Sequence, residues 1–281
     1  MSWLQTTELS PAEELKQDLQ NREPRTGFAE ERWMFNCGDL SLISLSPDSL
    51  FEGNGRFLQI TPVNAEVFVL AHEHPEFRQL VRTTINVVDG KVLQWICKLL
   101  YPGCDIVLLK GANFIYDLAA FCKERDQKLF LLGSTEASNA GAVARLRRAY
   151  PGLQIEGFGP PLSQSPFETP CRDKILSEIE QFAPHHLGVC FGPIKQELWI
   201  RQNARTLERL GVRCAYALGG TIDFLSLTRR RAPGWVQRIG AEWLFRFFCE
   251  PRARFYRTVI QFKMPFYAMR TSRSIRVLTT L

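Results

Sequence analysis

The chain has 281 residues, 45% of them hydrophobic and 23% charged, with a formal net charge of +6. That length and mixture are enough to bury a full core and exclude a disordered polypeptide. The positive charge is local: from Leu225 onward twelve Lys/Arg stand against only Glu242 and Glu250, a net +10 that leaves −4 for the rest.

The eight cysteines, at 37, 97, 104, 122, 171, 190, 214 and 249, include no C-x-x-C pair. This argues against a zinc site and a dense disulfide framework, and fits a reducing cytosol. The opening MSWLQTTELSPAEELKQDLQ is acidic and polar where a signal peptide needs a basic start and an apolar run. No apolar stretch approaches the ~20 residues of a membrane-spanning helix. A soluble or peripheral protein is expected.

In chain order, residues 1–32 read as a mobile arm with room for one short helix over Pro11–Gln20. From Trp33 to Leu50, WMFNCGDLSLISLSPDSL predicts a strand or hairpin leading into a helix capped at Ser46 or Asp48. Strands are then expected at 57–61, 84–88, 106–110, 128–132, 153–156, 186–191 and 213–218. Helices are expected between them at 65–82, 91–100, 115–125, 137–150, 172–182 and 195–210. This βαβα alternation predicts an α/β fold, a mostly parallel Rossmann-like sheet with helices on both faces. The rhythm stops near Gly219. Beyond it a C-terminal helical appendage, basic and aromatic, is expected to break near Pro251 and Pro265. The division predicted is an N-terminal extension over 1–50, partly mobile, an α/β core over 51–224 and a membrane-associating appendage over 225–281.

Open α/β sheets bind ligands where strands exit into helices, and the unusual motifs fall at such exits. Asp89 in VVDG lies between an apolar strand and Gly90, directly before a helix. It suits either a helix N-cap or a general base, with Gly90 allowing close approach. Asn64 in TPVNAE can cap the following helix and also bond a sugar hydroxyl or amide. Gly133 and Ser134 end a strand in a turn that offers N–H groups to phosphate or ribose. Gly219, Gly220, Thr221 and Asp223 follow another strand, where paired glycines admit a nucleotide or diphosphate. Lys195, Gln196 and Glu197 open a helix; as a solvated first turn they suit its dipole. Arg231, Arg246, Arg252 and Arg254, mixed with aromatics, suit an anionic membrane, a phosphorylated ligand or a single-stranded nucleic acid.

Taken together, TPVNAE, VVDG, GANF, LFLLGS, AYPGLQIEG, GPIKQELWI, GGTIDFLSL, RAPGW and AEWLFRFFCEPRARFYR resemble, in that order, the motifs of the WecG/TagA/CpsF family of bacterial glycosyltransferases. The resemblance covers roughly 59–257. It implies transfer of a sugar from a nucleotide donor to a lipid-pyrophosphate-linked acceptor at the inner face of the cytoplasmic membrane. It also implies that Asp89 is the catalytic base, that Gln196, beside Lys195 and Glu197, lies in the donor or acceptor site, and that Gly111 and Asn113 in GANF match a Gly-x-Asp pattern. Pro62 stands where the family has threonine, with Thr61 one residue earlier, and Pro193 is displaced within the Gly-x-Pro-Lys-Gln-Glu motif.

The expectation is therefore an inverting, UDP-sugar-dependent hexosyltransferase of cell-surface polysaccharide synthesis. Its donor carries an N-acetylhexosamine or uronic acid and its acceptor is a polyprenyl-pyrophosphate-linked saccharide. No Asp-x-Asp pair or cofactor motif is present, so tail arginines are expected to receive the diphosphate in place of a metal. The partners expected are the donor, the acceptor and an anionic membrane surface, with no nucleic acid; homo-oligomerisation is left open. Two rivals are glucosyl transfer to a lipid-linked exopolysaccharide primer and a non-enzymatic nucleic-acid-binding α/β protein.

Overall fold

The computed structural model describes residues 32–53, 55–109, 111–227, 259, 262–271 and 273–278, apart from the side chains of 111–113. The expectations for the N-terminal arm and for Arg231, Arg246, Arg252 and Arg254 lie outside these residues.

Among the described residues, nine strands form one sheet in the order β6-β5-β7-β8-β3-β4-β2-β1-β9. They are β1 (Trp33–Cys37), β2 (Leu40–Ser44), β3 (Leu58–Val63), β4 (Ile85–Val88), β5 (Leu129–Gly133), β6 (Ile155–Phe158), β7 (His186–Cys190), β8 (Cys214–Ala217) and β9 (Ile275–Val277). Every pairing from β6 across to β2 is parallel, and β1 pairs antiparallel with both β2 and β9. The helices are α1 (Pro47–Glu52), α2 (Ala65–Glu73), α3 (Pro75–Val81), α4 (Lys91–Leu100), α5 (Gly111–Glu124), α6 (Glu136–Ala149), α7 (Thr169–Phe182), α8 (Lys195–Arg209), α9 (Thr221–Leu225) and α10 (Met264–Met269).

Alternating strand residues feed opposite faces, as a period of two requires. Leu129, Leu131 and Tyr216 pack with α1, α5, α6 and α9 on one face. On the other, Phe130, Leu132 and Ala215 pack with α7 and α8, while Val63 and Val88 pack with α2, α3, α4 and α10. Both faces are covered, as a parallel sheet demands.

Three local expectations change. The helix expected over 65–82 is two, because Pro75 restricts His74 to an extended conformation and starts α3 afresh. No strand forms at 106–110. There Ser44 Oγ donates to the Asp105 carbonyl and accepts from Val107 N–H, while β2 pairs with β4 at Ile43↔Val87, so among the described residues the segment makes only a single backbone bond to β4, Leu109 N–H to the Val88 carbonyl. The helix expected from 115 begins at Gly111, which places GANF in its first turn.

The hairpin β1–β2, placed in the expected extension, belongs to the same sheet, and Ser46 caps α1 through Ser49 N–H. Helix α10 also packs against the body. Met264 and Ala268 are buried in the α2–α4 cluster, and Tyr267 stacks on His72 at 4.9 Å.

Candidate functional site

The parallel strands β5, β7, β8, β3 and β4 end at one edge of the sheet. Their registers align Gly133 with Cys190, Val189 with Ala217 and Val63 with Val88. Within two residues of these ends stand those the motifs single out: Ser134, Gly192, Gly219, Asn64 and Asp89. Strands lie about 4.8 Å apart, so this row is roughly 19 Å long. Its middle is the β8–β3 junction, where the two halves of the sheet meet. The β3–β8 pairing stops at Ile60↔Tyr216, and Pro62, two residues on, has no N–H with which to extend it.

Asp89 and Asn64 are neighbours. Asp89 N–H donates to the Val63 carbonyl at 2.9 Å, and a Cβ on Gly90 would lie 3.9 Å from that of Asn64. Gly90, at φ 89°, is itself the N-cap of α4 and supplies no capping side chain. Asp89 therefore precedes the cap, and it is half-buried there. Asn64 caps α2 with Oδ1, which accepts from Val67 N–H at 3.0 Å, so its amide nitrogen is not part of the cap. Leu109 N–H reaches the Val88 carbonyl at 2.9 Å, bringing the start of α5, and with it Asn113, to the exit of β4.

Gln196 and Glu197 are buried, contrary to a solvated first turn. Gln196 Nε2 donates to Glu197 Oε1 at 2.9 Å, and its Oε1 accepts from Gly219 N–H at 2.9 Å. Gln59 of β3 donates to the Glu197 carbonyl at 3.0 Å. Burial raises the Glu197 carboxyl to about 7, although the Gln196 bond works in the opposite direction. Lys195 beside them is exposed at the start of α8.

On the other side of the row, Ser134 Oγ donates to Asp223 Oδ1 at 2.5 Å, tying the exit of β5 to α9. Thr135 caps α6 through Ser138 N–H. These side chains close the row at its β5 end.

A family model for "Glycosyl transferase WecG/TagA/CpsF family" matches residues 46–277. The chain belongs to the WecG/TagA/CpsF family. It is a glycosyltransferase of the hexosyl-transferring kind, which decides against the non-enzymatic rival. A similar protein is the N-acetylglucosaminyldiphosphoundecaprenol N-acetyl-beta-D-mannosaminyltransferase of Bacillus subtilis (strain 168), 26% identical over 193 residues, 68% of this chain and 72% of that protein. Among the described residues, no helix is long and apolar enough to cross a membrane.

Motif reading passed over Ile194 and Gln59, and it met Thr61 only as a displaced family threonine. Ile194, the N-cap of α8, sits at φ 70° and ψ −54°, a γ-turn region costly for a branched side chain and typical of functional loops. Thr61 is fully buried with no partner for Oγ1, and Gln59 is buried beneath α8. The sequence signal for Gln59 was a polar residue inside an otherwise apolar strand.

Proposed function

We propose that the protein transfers an N-acetylhexosamine or uronic acid from a UDP-sugar, with inversion, to a polyprenyl-pyrophosphate-linked saccharide in cell-surface polysaccharide synthesis. The observation that carries this reading is the pairing of Asp89 and Asn64 at adjacent strand exits, one strand from the Gly219 turn. In this reading Asp89 accepts the proton of the acceptor hydroxyl as its oxygen bonds to the anomeric carbon. The bond from that carbon to the UDP oxygen breaks on the opposite side, which inverts the centre. The Asn64 amide orients a sugar, and Asn113 is assigned a further sugar contact from the family pattern.

UDP leaves with its charge on the diphosphate, and cations and backbone N–H groups must meet it. Lys195 at the N-terminus of α8 and the Gly219–Gly220 turn lie on the donor side of the row, with Gly133 and Ser134 beyond them. Arg231, Arg246, Arg252 and Arg254, outside the described residues, are the cations this reading assigns to the diphosphate. The N-acetylmannosaminyl transfer named for the Bacillus subtilis relative supports an N-acetylhexosamine donor, and its diphosphoundecaprenol acceptor supports a lipid-linked one.

The protein works at the inner face of the cytoplasmic membrane. Support comes from α10 and its flanks, where Phe262, Phe266 and Met269 are exposed and Arg270 lies 4.2 Å over the Phe266 ring. Rings and arginines in that arrangement suit an anionic interface. Thermal shift against a nucleotide panel tests the donor reading. UDP at 100 times its Kd adds roughly 2.7 kcal/mol, whereas equal shifts with all nucleotides, or none, would refute it.

A further inference from the structure

The first turn of α8 carries an acidic group with no exposed surface to offer a sugar. Glu197 is wholly buried at the third helical position. Its carboxyl accepts from the Gln196 amide at Oε1, while Oε2 has no hydrogen-bond partner. A buried carboxylate is costly, so its bonds are the place to look for its role.

We propose that Glu197 is a positioning residue for the donor. Its carboxyl orients the Gln196 amide so that the amide oxygen holds Gly219 N–H and sets the turn that receives the donor diphosphate. The proposal rests on the donor reading above. Side-chain amides have two orientations, and the flipped one would set the Gln196 NH₂ against Gly219 N–H, donor against donor. An acceptor at Glu197 makes the observed orientation the favoured one.

The turn needs that bond. Gly219 lies at φ 59°, and nothing approaches within 4 Å of where its Cβ would be, so packing does not define its place. Besides the Gln196 bond, the turn is closed by Thr221 N–H and Oγ1, both donating to the Leu218 carbonyl at 3.2 and 2.6 Å. The Ile194 backbone also favours the ionised form of the Glu197 carboxyl, which sets it against the γ-turn before α8. One carboxyl thus ties the β7–α8 loop to the β8–α9 loop.

The test uses the full-length protein, UDP affinity by calorimetry, and separate KM values for donor and acceptor. Glu197→Met keeps the length of the side chain and removes the acceptor. It should weaken UDP and raise donor KM at least 10-fold, leaving acceptor KM unchanged. Glu197→Gln, which retains an acceptor oxygen, should restore donor KM to within about 3-fold of wild type. In a Gln196→Ala background, Glu197→Met should add nothing further. Wild-type UDP affinity in folded Glu197→Met, or effects that multiply in the double variant, would overturn the proposal. Should Glu197→Met fail to fold, Gln196→Met, which cuts the bond to Gly219, carries the same test, and unchanged UDP affinity there overturns it equally. Failure of the wild-type protein to bind UDP would instead remove the donor reading, and this inference with it.

Discussion

Replacing Glu197 by glutamine should alter the pH dependence of stability in a calculable way. Burial lifts its carboxyl from 4.5 to about 7 in the folded protein. Between those values the folded state holds a proton that the unfolded state has released, so stability falls as pH rises through the window and stays lower above it. At about 1.4 kcal/mol per pH unit the full loss is roughly 3 kcal/mol. His186 works in the opposite direction. Burial, with smaller contributions from His185 and Arg213, lowers it to about 3, so stability falls as pH drops below 6.5. Burial also lowers His72, in the same sense. In the wild type these slopes oppose one another between about pH 5 and 6.5, and Glu197→Gln exposes the histidine slope alone. Urea unfolding of both proteins from about pH 5 to 8 should show the variant gaining about 2–3 kcal/mol on the wild type as pH rises. A difference that stays constant within about 0.5 kcal/mol across that range would refute the reasoning, because a neutral carboxyl throughout, or one ionised throughout, gives no slope.

Asp89→Asn should keep UDP binding and lower turnover by roughly 100-fold or more in a radiolabelled-sugar transfer assay, the usual yield of a positioned base. Activity should survive EDTA, because the chain has no Asp-x-Asp pair; loss restored by Mn²⁺ or Mg²⁺ would contradict this. Met264→Ala should cost about 2–5 kcal/mol in urea unfolding, since Met264 is fully buried against the body. Full-length protein should co-sediment with anionic vesicles and not with neutral ones, and replacing Phe262, Phe266 and Met269 together by serine should weaken that binding.

The parallel half of the sheet was legible because each strand is a short apolar run bounded by glycine or a capping residue. VVDG and LFLLGS announce both a strand and its exit, and the structure puts those exits in one row. The segment 106–110 misled for the same reason, being as apolar as a strand. What decided it was the Ser44 hydroxyl, 61 and 63 residues away in sequence. Asp89 and Asn64 could be named from their motifs, but their adjacency required the Val63↔Val88 register. Glu197 shows the larger gap. A Lys-Gln-Glu opening suits a wet helix terminus, and only the packing of α8 over Gln59 makes it a buried bracket. Likewise the Ser134–Asp223 bond joins residues 89 apart and leaves no local trace.

Transfer itself is the most direct measurement. Purified protein, a radiolabelled UDP-N-acetylhexosamine panel and a polyprenyl-pyrophosphate-linked N-acetylglucosamine acceptor should give a labelled lipid product with inverted anomeric configuration, and Asp89→Asn should give almost none. A product of retained configuration, or equal product from Asp89→Asn, would contradict the account.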